Sequence, residues 1–350
     1  MNLIREATKR PRQIDLRGRV EMIHGGGGRA MAQLIEQLFQ HHFDDPALLA
    51  GGDQAQLGRV GGRLVMSIDS HVISPLFFRG GDIGSLSVHG TVNDVAMAGA
   101  MPLFLSAGFI LEEGFPLADL DRIAASMAQA AKHAGVRIVT GDTKVVERGK
   151  GDGVFITTTG VGSVPDGIEL SPARIAPGDR IIVNGSIGDH GVAILSQREN
   201  LEFDSPIVSD SAPLNDLVRA MLAAAPDLHC LRDPTRGGVA ATLNELARDS
   251  GHGMRLDEAA IPIKPAVAGA CELIGLDPLY IANEGKLVAF CPAPQAERLV
   301  AAMRAHDLGR EAAIIGEVVS GGATPVEMTT RLGGRRVVDW LNGEQLPRIC

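Results

Sequence analysis

Six aspartates stand where the sequence predicts that strands end or helices begin. Most have a glycine, serine or asparagine beside them, and the six are Asp53, Asp69, Asp82, Asp94, Asp142 and Asp233. A single aspartate at a helix start is usually an N-cap, and Asp82 has that simpler interpretation. Several carboxylates in one place repel each other unless cations hold them. Because Mg²⁺ takes oxygen ligands and shares them with phosphate, the pattern predicts a site for Mg²⁺ and a polyphosphate.

Residues suited to phosphate accompany these acids. In the segment RDPTRGG, Thr235 and the glycines stand at a predicted helix start with open N–H groups, and Arg236 is able to grip phosphate; an ordinary capped helix is the alternative. Lys144 follows Asp142 by two positions. The run Gly25–Gly28, with Gly26 and Gly27 at its centre, predicts either a flap over phosphates or a connecting loop.

Of two familiar nucleotide-binding motifs, one is absent from the sequence and the other lacks the strand that it needs. No G-x-x-x-x-G-K-[ST] phosphate loop occurs. A dinucleotide fingerprint starts at Gly25, after a possible strand at Val20–Ile23, but no second strand ends in an acid about 20 residues later. The sequence therefore disfavours a Rossmann or Walker-type site.

One predicted helix, Asp82–Ala98, carries a polar stripe. At 100° per residue, Asp82, Ser85, His89 and Asn93 fall within about 80° of one another, which predicts either a wall of the site or a solvated face. Asp94 lies about 120° from Asp82, so both cannot face one site unless the helix bends or the site is shared between subunits. Judged alone, Glu284 in the turn NEGK is an exposed acid.

Cys350 is the last residue of the sequence, on a segment of about ten residues without periodicity that reaches about 35 Å when extended. The neighbouring α-carboxylate disfavours a thiolate, so this cysteine is interpreted as an attachment point. Cys230, Cys271 and Cys291 lie in apolar runs and are predicted to be core residues.

The elements that must position these residues predict an α+β protein of two domains. β-branched runs predict strands such as Arg63–Asp69 and Val154–Val164, and an apolar stripe predicts a helix over Leu117–Ala134. We divide the chain into an entry segment (1–40), a first domain (41–170), a second domain (171–335) and a mobile tail (336–350).

Composition excludes several classes of protein. The net charge of −9, without a basic block, disfavours nucleic-acid binding. The longest uncharged stretch, Val95–Leu111, contains Pro102 and predicts buried elements rather than a membrane span. The first sixteen residues have no apolar signal core, so we expect reduced thiols and a cytoplasmic protein. No C-x-x-C pair occurs, which disfavours a zinc knuckle or a thioredoxin-like site.

Eight motifs together resemble the HypE family of hydrogenase maturation factors, within the superfamily of aminoimidazole ribonucleotide synthetase. They are HGGGG from His24, DSH from Asp69, GDIG from Gly81, GTVNDVA from Gly90, TGDTKV from Thr140, DPTRGG from Asp233, NEGK from Asn283 and the terminal PRIC from Pro347. The resemblance spans about residues 20 to 350. It implies the two-domain fold of that superfamily, with a flexible C-terminal tail, a homodimer through the first domain, and ATP with Mg²⁺ as cofactors.

The family resemblance also implies a reaction. A HypF-type carbamoyltransferase would carbamoylate the terminal cysteine. ATP would then drive dehydration of the S-carboxamide to an S-thiocyanate, and the cyanide would pass to iron on a HypC–HypD complex for [NiFe] hydrogenase. Two rival hypotheses are an enzyme of the same fold that phosphorylates a diffusible substrate, and a non-enzymatic carrier.

The resemblance implies roles for particular residues. The metal candidates are Asp53, Asp69, Asp94, Asp142 and Asp233. The nucleotide candidates are Gly26, Gly27, Asp82, Asn93, Lys144, Thr235 and Arg236, and the catalytic candidates are Cys350, Lys144, Glu284 as base and His89 as the alternative base. Gln54 stands where relatives often carry a second acid beside Asp53.

Overall fold

The computed structural model describes residues 14–201, 207–321 and 326–341, which fold around two main β-sheets. Helices and strands alternate irregularly in both halves, as the α+β prediction requires. In the described part of the chain, no helix has the length and apolar character needed to span a membrane.

The N-terminal half is a four-stranded sheet with its helices on one face. Its strand order is β1-β6-β4-β5, and only the β4–β5 pair is parallel. In chain order its elements are α1 (Arg29–Leu34), a π-helical turn (Ile35–Phe39), α2 (Gln40–Phe43), α3 (Pro46–Leu49), β1 (Arg63–His71), β2 (Phe77–Phe78), β3 (Gly81–Asp82), α4 (Ile83–Met97), β4 (Met101–Glu112), α5 (Leu117–Ala134), β5 (Arg137–Val146) and β6 (Val154–Val164).

The C-terminal half is built on a seven-stranded sheet of order β13-β12-β9-β11-β7-β10-β8, in which only the β12–β9 pair is parallel. Its elements are β7 (Arg180–Val183), α6 (Asp189–Arg198), α7 (Asn215–Ala224), β8 (Cys230–Arg232), α8 (Gly238–Ser250), β9 (Gly253–Asp257), α9 (Pro265–Ile274), β10 (Val288–Cys291), α10 (Ala293–Arg304), β11 (Ala313–Val319), β12 (Val326–Thr329) and β13 (Arg335–Val338).

Helix α4 joins the two halves because it is buried nearly all round. Val88 and Val92 belong to the N-terminal core with α5 and the sheet. Ala96 and Met97, at the other end of the helix, pack among C-terminal residues such as Leu217 of α7. A helix buried on several sides is rigidly placed, so α4 fixes the site residues it carries relative to both domains.

The outer face of the N-terminal sheet has no helix on it among the described residues. Strand alternation places Leu64, Met66 and Ile68 of β1 on this face, where they are 58%, 73% and 66% exposed. Ile110 of β4 lies on the same face and is 43% exposed. The sheet therefore presents an open apolar surface, which we call the outer sheet face.

Three expectations from the sequence have different outcomes: one is wrong, one needs a new boundary and one lies outside the described residues. The possible strand at Val20–Ile23 is wrong, because Met22–Gly25 forms a 3₁₀ helix. Val20 makes two isolated backbone bonds, donating to the Phe115 carbonyl and accepting from the Gly114 N–H. The last strand, Arg335–Val338, extends into the segment assigned to the tail. Residues 342–350, including Cys350, lie outside the described residues.

Candidate active site

A cleft of about 490 Å³ lies between the two halves. Its walls carry five of the predicted residues, contributed by β1, α4 and the loop between β8 and α8: Asp69, Asp94, Asp233, Thr235 and Arg236. Three carboxylates, a hydroxyl and a guanidinium thus converge from both domains. The structure brings these predicted residues together at one site.

Close packing of α4 against β1 brings the first two acids together. Asp69 lies on the inner face of β1, because it pairs with the buried Thr158, which bonds to α4. Gly90 makes the approach possible, since a Cβ there would stand 2.9 Å from His71 Nε2 and 3.4 Å from Asp69 Oδ2. One turn further along α4, the Asp94 carboxylate accepts the Ser67 hydroxyl at 2.8 Å.

The cleft carboxylates raise one another's proton affinity. Burial raises the pKa of Asp233 to about 7, and Asp94 and Asp69 add to the effect. Burial also raises the pKa of Asp94, with Asp69 contributing, against the hydrogen bond from Ser67. Arg236 partly offsets this negative field at Asp94. A concentration of mutually repelling carboxylates suits a bound cation.

These acids do not form a complete metal cage. Across the described ranges, no group of three His, Cys, Asp or Glu side chains is close enough to hold a metal ion by itself. Mg²⁺ usually keeps several waters and takes only one or two carboxylates together with substrate phosphates. The arrangement therefore fits Mg²⁺ brought in with a nucleotide better than a resident ion.

Glu284 is buried behind the cleft and is only 3% exposed. Its N–H donates to Asp210 Oδ1 at 3.0 Å, and its Oε1 has no hydrogen-bond partner in the described structure. Burial raises its pKa well above the usual carboxyl value, and Asp210, Asp233, Asp69 and Asp94 raise it further, in that order. The interpretation of Glu284 as an exposed turn acid is therefore wrong, and its carboxylate is a strong base for its type.

The polar stripe of α4 is neither solvated nor a wall of the cleft. Asp82 is the N-cap and accepts the Ser85 N–H at 2.9 Å. Asn93, 2% exposed, accepts the Leu214 N–H at 2.7 Å and donates to the Glu284 carbonyl at 3.1 Å. Both side chains thus make hydrogen bonds within the protein, and the nucleotide role of Asp82 and Asn93 stays a prediction.

His89 sits in the same stripe and is 8% exposed. Its Nδ1 lies 3.0 Å from the Ser211 hydroxyl. Burial lowers its pKa to about 4, with a smaller contribution from His133. The imidazole is therefore neutral near pH 7 and a weak base.

A second group of predicted residues lies at the β5 edge of the N-terminal sheet. Asp142 and Lys144 form an exposed ion pair of 2.9 Å, and a Cβ on Gly25 would meet Val145 Cβ at 2.9 Å. Gly27 has open space around it. Asp142 is inside β5, not at a strand end as expected, because pairing with β4 continues the strand to Val146.

This β5-edge group, Gly26, Gly27, Asp142 and Lys144, is separated from the cleft. By strand register, Asp142 aligns through Gly108 and Thr157 with Ser70, so its side chain lies on the outer sheet face, opposite to Asp69. Asp53 is exposed in the irregular segment between α3 and β1. Within one chain, the predicted metal residues are therefore divided.

Two polar residues beside Glu284 were missed from the sequence. Lys286 Nζ pairs with Asp210 Oδ2 at 3.1 Å, and both side chains are largely buried. Lys286 belongs to the NEGK motif, so it was within reach of sequence reasoning. Asp210 lies in SDS, outside any helix, strand or motif, and carries no signal in the sequence.

The last described residues before Cys350 lie beside the cleft. Asp339 is held by the Tyr280 hydroxyl, which donates to its carbonyl at 2.9 Å, and the Arg248 guanidinium lies 5.6 Å from the Trp340 ring centroid. Leu341 Cδ2 is 4.0 Å from where a Cβ on Gly237, next to Arg236, would stand. Nine residues follow it to Cys350.

Comparison with known proteins identifies the relatives of this chain. Family models described as the N-terminal and C-terminal domains of AIR synthase related proteins match residues 44–164 and 176–328. The chain is 67% identical over 339 residues to carbamoyl dehydratase HypE of Azotobacter vinelandii, covering 97% of this chain and 99% of that protein.

Solved structures give the same result. The crystal structure of hydrogenase maturation protein HypE in complex with ATP is 50% identical, with a TM-score of 0.91 over 94% of this chain and 99% of that chain. HypE in a crystal structure of a HypE–HypF complex is 48% identical, with a TM-score of 0.78 over 88% of this chain and 99% of that chain. The predicted two-domain fold is confirmed.

Proposed function

The chain belongs to the HypE family of carbamoyl dehydratases, and from that membership we propose that it dehydrates an S-carboxamide on its own Cys350 to an S-thiocyanate, with ATP. Its activity serves hydrogenase maturation, as in its relatives. The observation that most supports Cys350 as the substrate is the position of Leu341 against Gly237, at the cleft that collects the phosphate-binding residues.

The cleft is where this chain would hold the nucleotide. Thr235 and the N–H groups at the start of α8 face a phosphate, and Arg236 supplies a bidentate cation. Asp69, Asp94 and Asp233 would hold Mg²⁺ against the phosphates. When bound, Mg²⁺ supplies charge neutralisation for the transferred phosphoryl group.

The reaction needs an acceptor oxygen, a base and a leaving group. The carboxamide oxygen takes the γ-phosphoryl group and ADP departs. The C–O bond then breaks, inorganic phosphate leaves, and the two N–H protons are removed as C≡N forms. Glu284 fits the base better than His89, because burial and then the neighbouring carboxylates raise the pKa of Glu284, whereas burial lowers the pKa of His89 to about 4.

The reach of the final segment is sufficient for this chemistry. Nine residues beyond Leu341 extend at most about 30 Å, and the segment starts beside the cleft wall at Gly237. Cys350 therefore has the length to meet the cleft, and also to meet a HypF-type carbamoyltransferase and a HypC–HypD iron acceptor, which we propose as partners.

A homodimer through the outer sheet face would explain the divided site. The exposed side chains of Leu64, Met66 and Ile68 form an apolar surface of the kind that a second copy covers. Asp142 and Lys144 lie on the same face. Since they cannot reach the cleft of their own chain, we propose that they complete the cleft of the second copy.

The thiols of the described residues fit a reducing compartment. Cys230, Cys271 and Cys291 are buried and form no disulfide there. We therefore propose the cytoplasm as the place of action.

Intact-mass measurement of the carbamoylated protein tests the proposed function. After addition of Mg²⁺ and ATP, the C-terminal peptide is expected to lose one water. Cys350→Ala should bind ATP as the unaltered protein does and give no such product. Loss of water from the Cys350→Ala protein would show that the carboxamide is carried elsewhere.

A further inference from the structure

A buried ion pair lies against the turn that carries Glu284. Lys286 Nζ is 3.1 Å from Asp210 Oδ2, and the two side chains are 13% and 4% exposed. The other carboxylate oxygen, Asp210 Oδ1, accepts the Glu284 N–H at 3.0 Å. One carboxylate therefore binds the chain at Glu284 and again two residues later, on either side of Gly285.

The contact is closer than any side chain at position 285 would allow. A Cβ on Gly285 would stand 1.8 Å from the Asp210 carbonyl oxygen and 3.2 Å from the Ala212 N. The glycine lets the segment Ser209–Leu214, which we call the strap, lie directly on the turn.

The strap is itself held by both halves of the molecule. From α6, His190 Nδ1 lies 2.8 Å from the Ser209 hydroxyl. From α4, Asn93 Nδ2 donates to the Ala212 carbonyl at 3.1 Å. Asp210 therefore lies between two anchored neighbours.

A buried ion pair is a poor way to gain stability, because removing two charges from water costs as much as the pair returns. The negative charges that face Glu284 come from every side: Asp210 from the strap, Asp233 from the β8–α8 loop, Asp69 from β1 and Asp94 from α4. Within the described residues, Asp210 is the one of these four that is hydrogen-bonded to Glu284.

We propose that Asp210, paired with Lys286, is a positioning residue that orients Glu284 and strengthens it as a base. After burial, Asp210 is the largest cause of the raised pKa of Glu284. Burial would raise the pKa of Asp210 too, but Lys286 and His190 lower it, so Asp210 keeps its charge. This inference rests on the proposed function, because Glu284 acts as the base there.

Single-turnover dehydration of the carbamoylated protein, followed by intact mass at pH values from about 5 to 9, tests the inference. Asp210→Asn keeps the hydrogen-bond acceptor and removes the charge. We expect the maximal rate to fall about tenfold. In the profile of dehydration rate against pH, the acid limb should move to lower pH by about one unit. Without a negative neighbour, Glu284 loses its proton more easily.

Lys286→Met supplies a second comparison that does not depend on the Asp210 variant. We expect a slower dehydration with an unchanged dissociation constant for MgATP. The matched control is Arg137→Met, which removes the cation of the Asp45–Arg137 pair (2.7 Å) at the start of β5, in the N-terminal half and away from the turn. That control should keep the normal rate.

An acid limb at unchanged pH in the Asp210→Asn protein overturns the inference, whatever its rate. If that variant does not fold, a Lys286→Met rate equal to that of Arg137→Met overturns it. An unaltered protein that yields no dehydrated product refutes the proposed function and this inference together, whereas normal turnover with an unshifted limb refutes this inference alone.

Discussion

Asp233 lowers the folding stability of the ligand-free protein and favours a bound cation in the cleft. Its folded pKa is about 7 against an ordinary value of 3.8, chiefly through burial and then through Asp94. Between these two pH values the unfolded chain releases a proton that the folded protein retains. The folded state without ligand therefore loses stability as the pH rises from about 4 to 7, and a cation would restore it.

Asp233→Asn should consequently stabilise the ligand-free protein. We expect its unfolding temperature to exceed that of the unaltered protein by a few degrees at pH 8, with almost no difference near pH 4. Affinity for MgATP should fall at least about tenfold, because a charged oxygen is lost. Thermal unfolding and calorimetric titration measure the two effects; a lower unfolding temperature at pH 8 would contradict the electrostatic account.

Glu284 and His89 are distinguished by one pair of variants. Glu284→Gln should bind MgATP normally and slow dehydration by about 10²-fold or more, because the amide takes no proton. His89→Gln should keep most of the rate, since the imidazole contacts Ser211 and is a weak base. Intact mass of the C-terminal peptide over time reports both, and the reverse ranking would make His89 the base.

At the scale of elements, local patterns predicted most strands and helices but not their extents. Leu117–Ala134 was predicted with the bounds it has, because an amphipathic stripe is a local signal. β5 begins with a β-branched run that ends at Thr140. It continues six residues further, through Gly141 and Asp142, because β4 pairs with it. Such tertiary pairing overrides local propensity. The four-residue strands β12 and β13 were missed, because the alternation in β12 is too short to be a signal and β13 does not alternate.

The outer sheet face gives a prediction at the same scale. Met66→Glu places a charge on β1 where the side chain is 73% exposed, so the fold of one chain should tolerate it. We expect the dimer to dissociate, as seen by light scattering after gel filtration. Leu332→Glu, at a 98% exposed position in the C-terminal half, should leave the mass unchanged. Equal masses for both variants would place the interface elsewhere.

At the scale of the whole molecule, the sequence predicted the site residues but not their grouping. Motifs identified Asp69, Asp142 and Asp233 as one set. Only the strand register reveals that Asp142 faces away from Asp69. Asp210 has no motif, and its importance arises entirely from a contact between segments 74 residues apart. Local sequence patterns do not predict contacts between distant segments of this kind.

Mixed dimers test whether the divided site is completed by a second copy. Lys144→Ala and Asp94→Asn chains should each be inactive alone. Mixed together, they should recover activity, because each mixed dimer contains one cleft with both groups intact. The mass assay on mixed and separate samples measures this. No recovery in verified mixed dimers would mean that Lys144 and Asp94 must lie in one chain.

The attachment of Leu341 beside Gly237 turns the final nine residues into a short tether. Confined within about 30 Å of that point, the terminal sulfur experiences a local concentration on the order of 10 mM. Because the carboxamide on this sulfur is so concentrated near the cleft, the cleft needs little intrinsic affinity for it. Weak capture would let the thiocyanate depart readily for its acceptor, and free carbamoyl thiols in the surroundings would compete poorly.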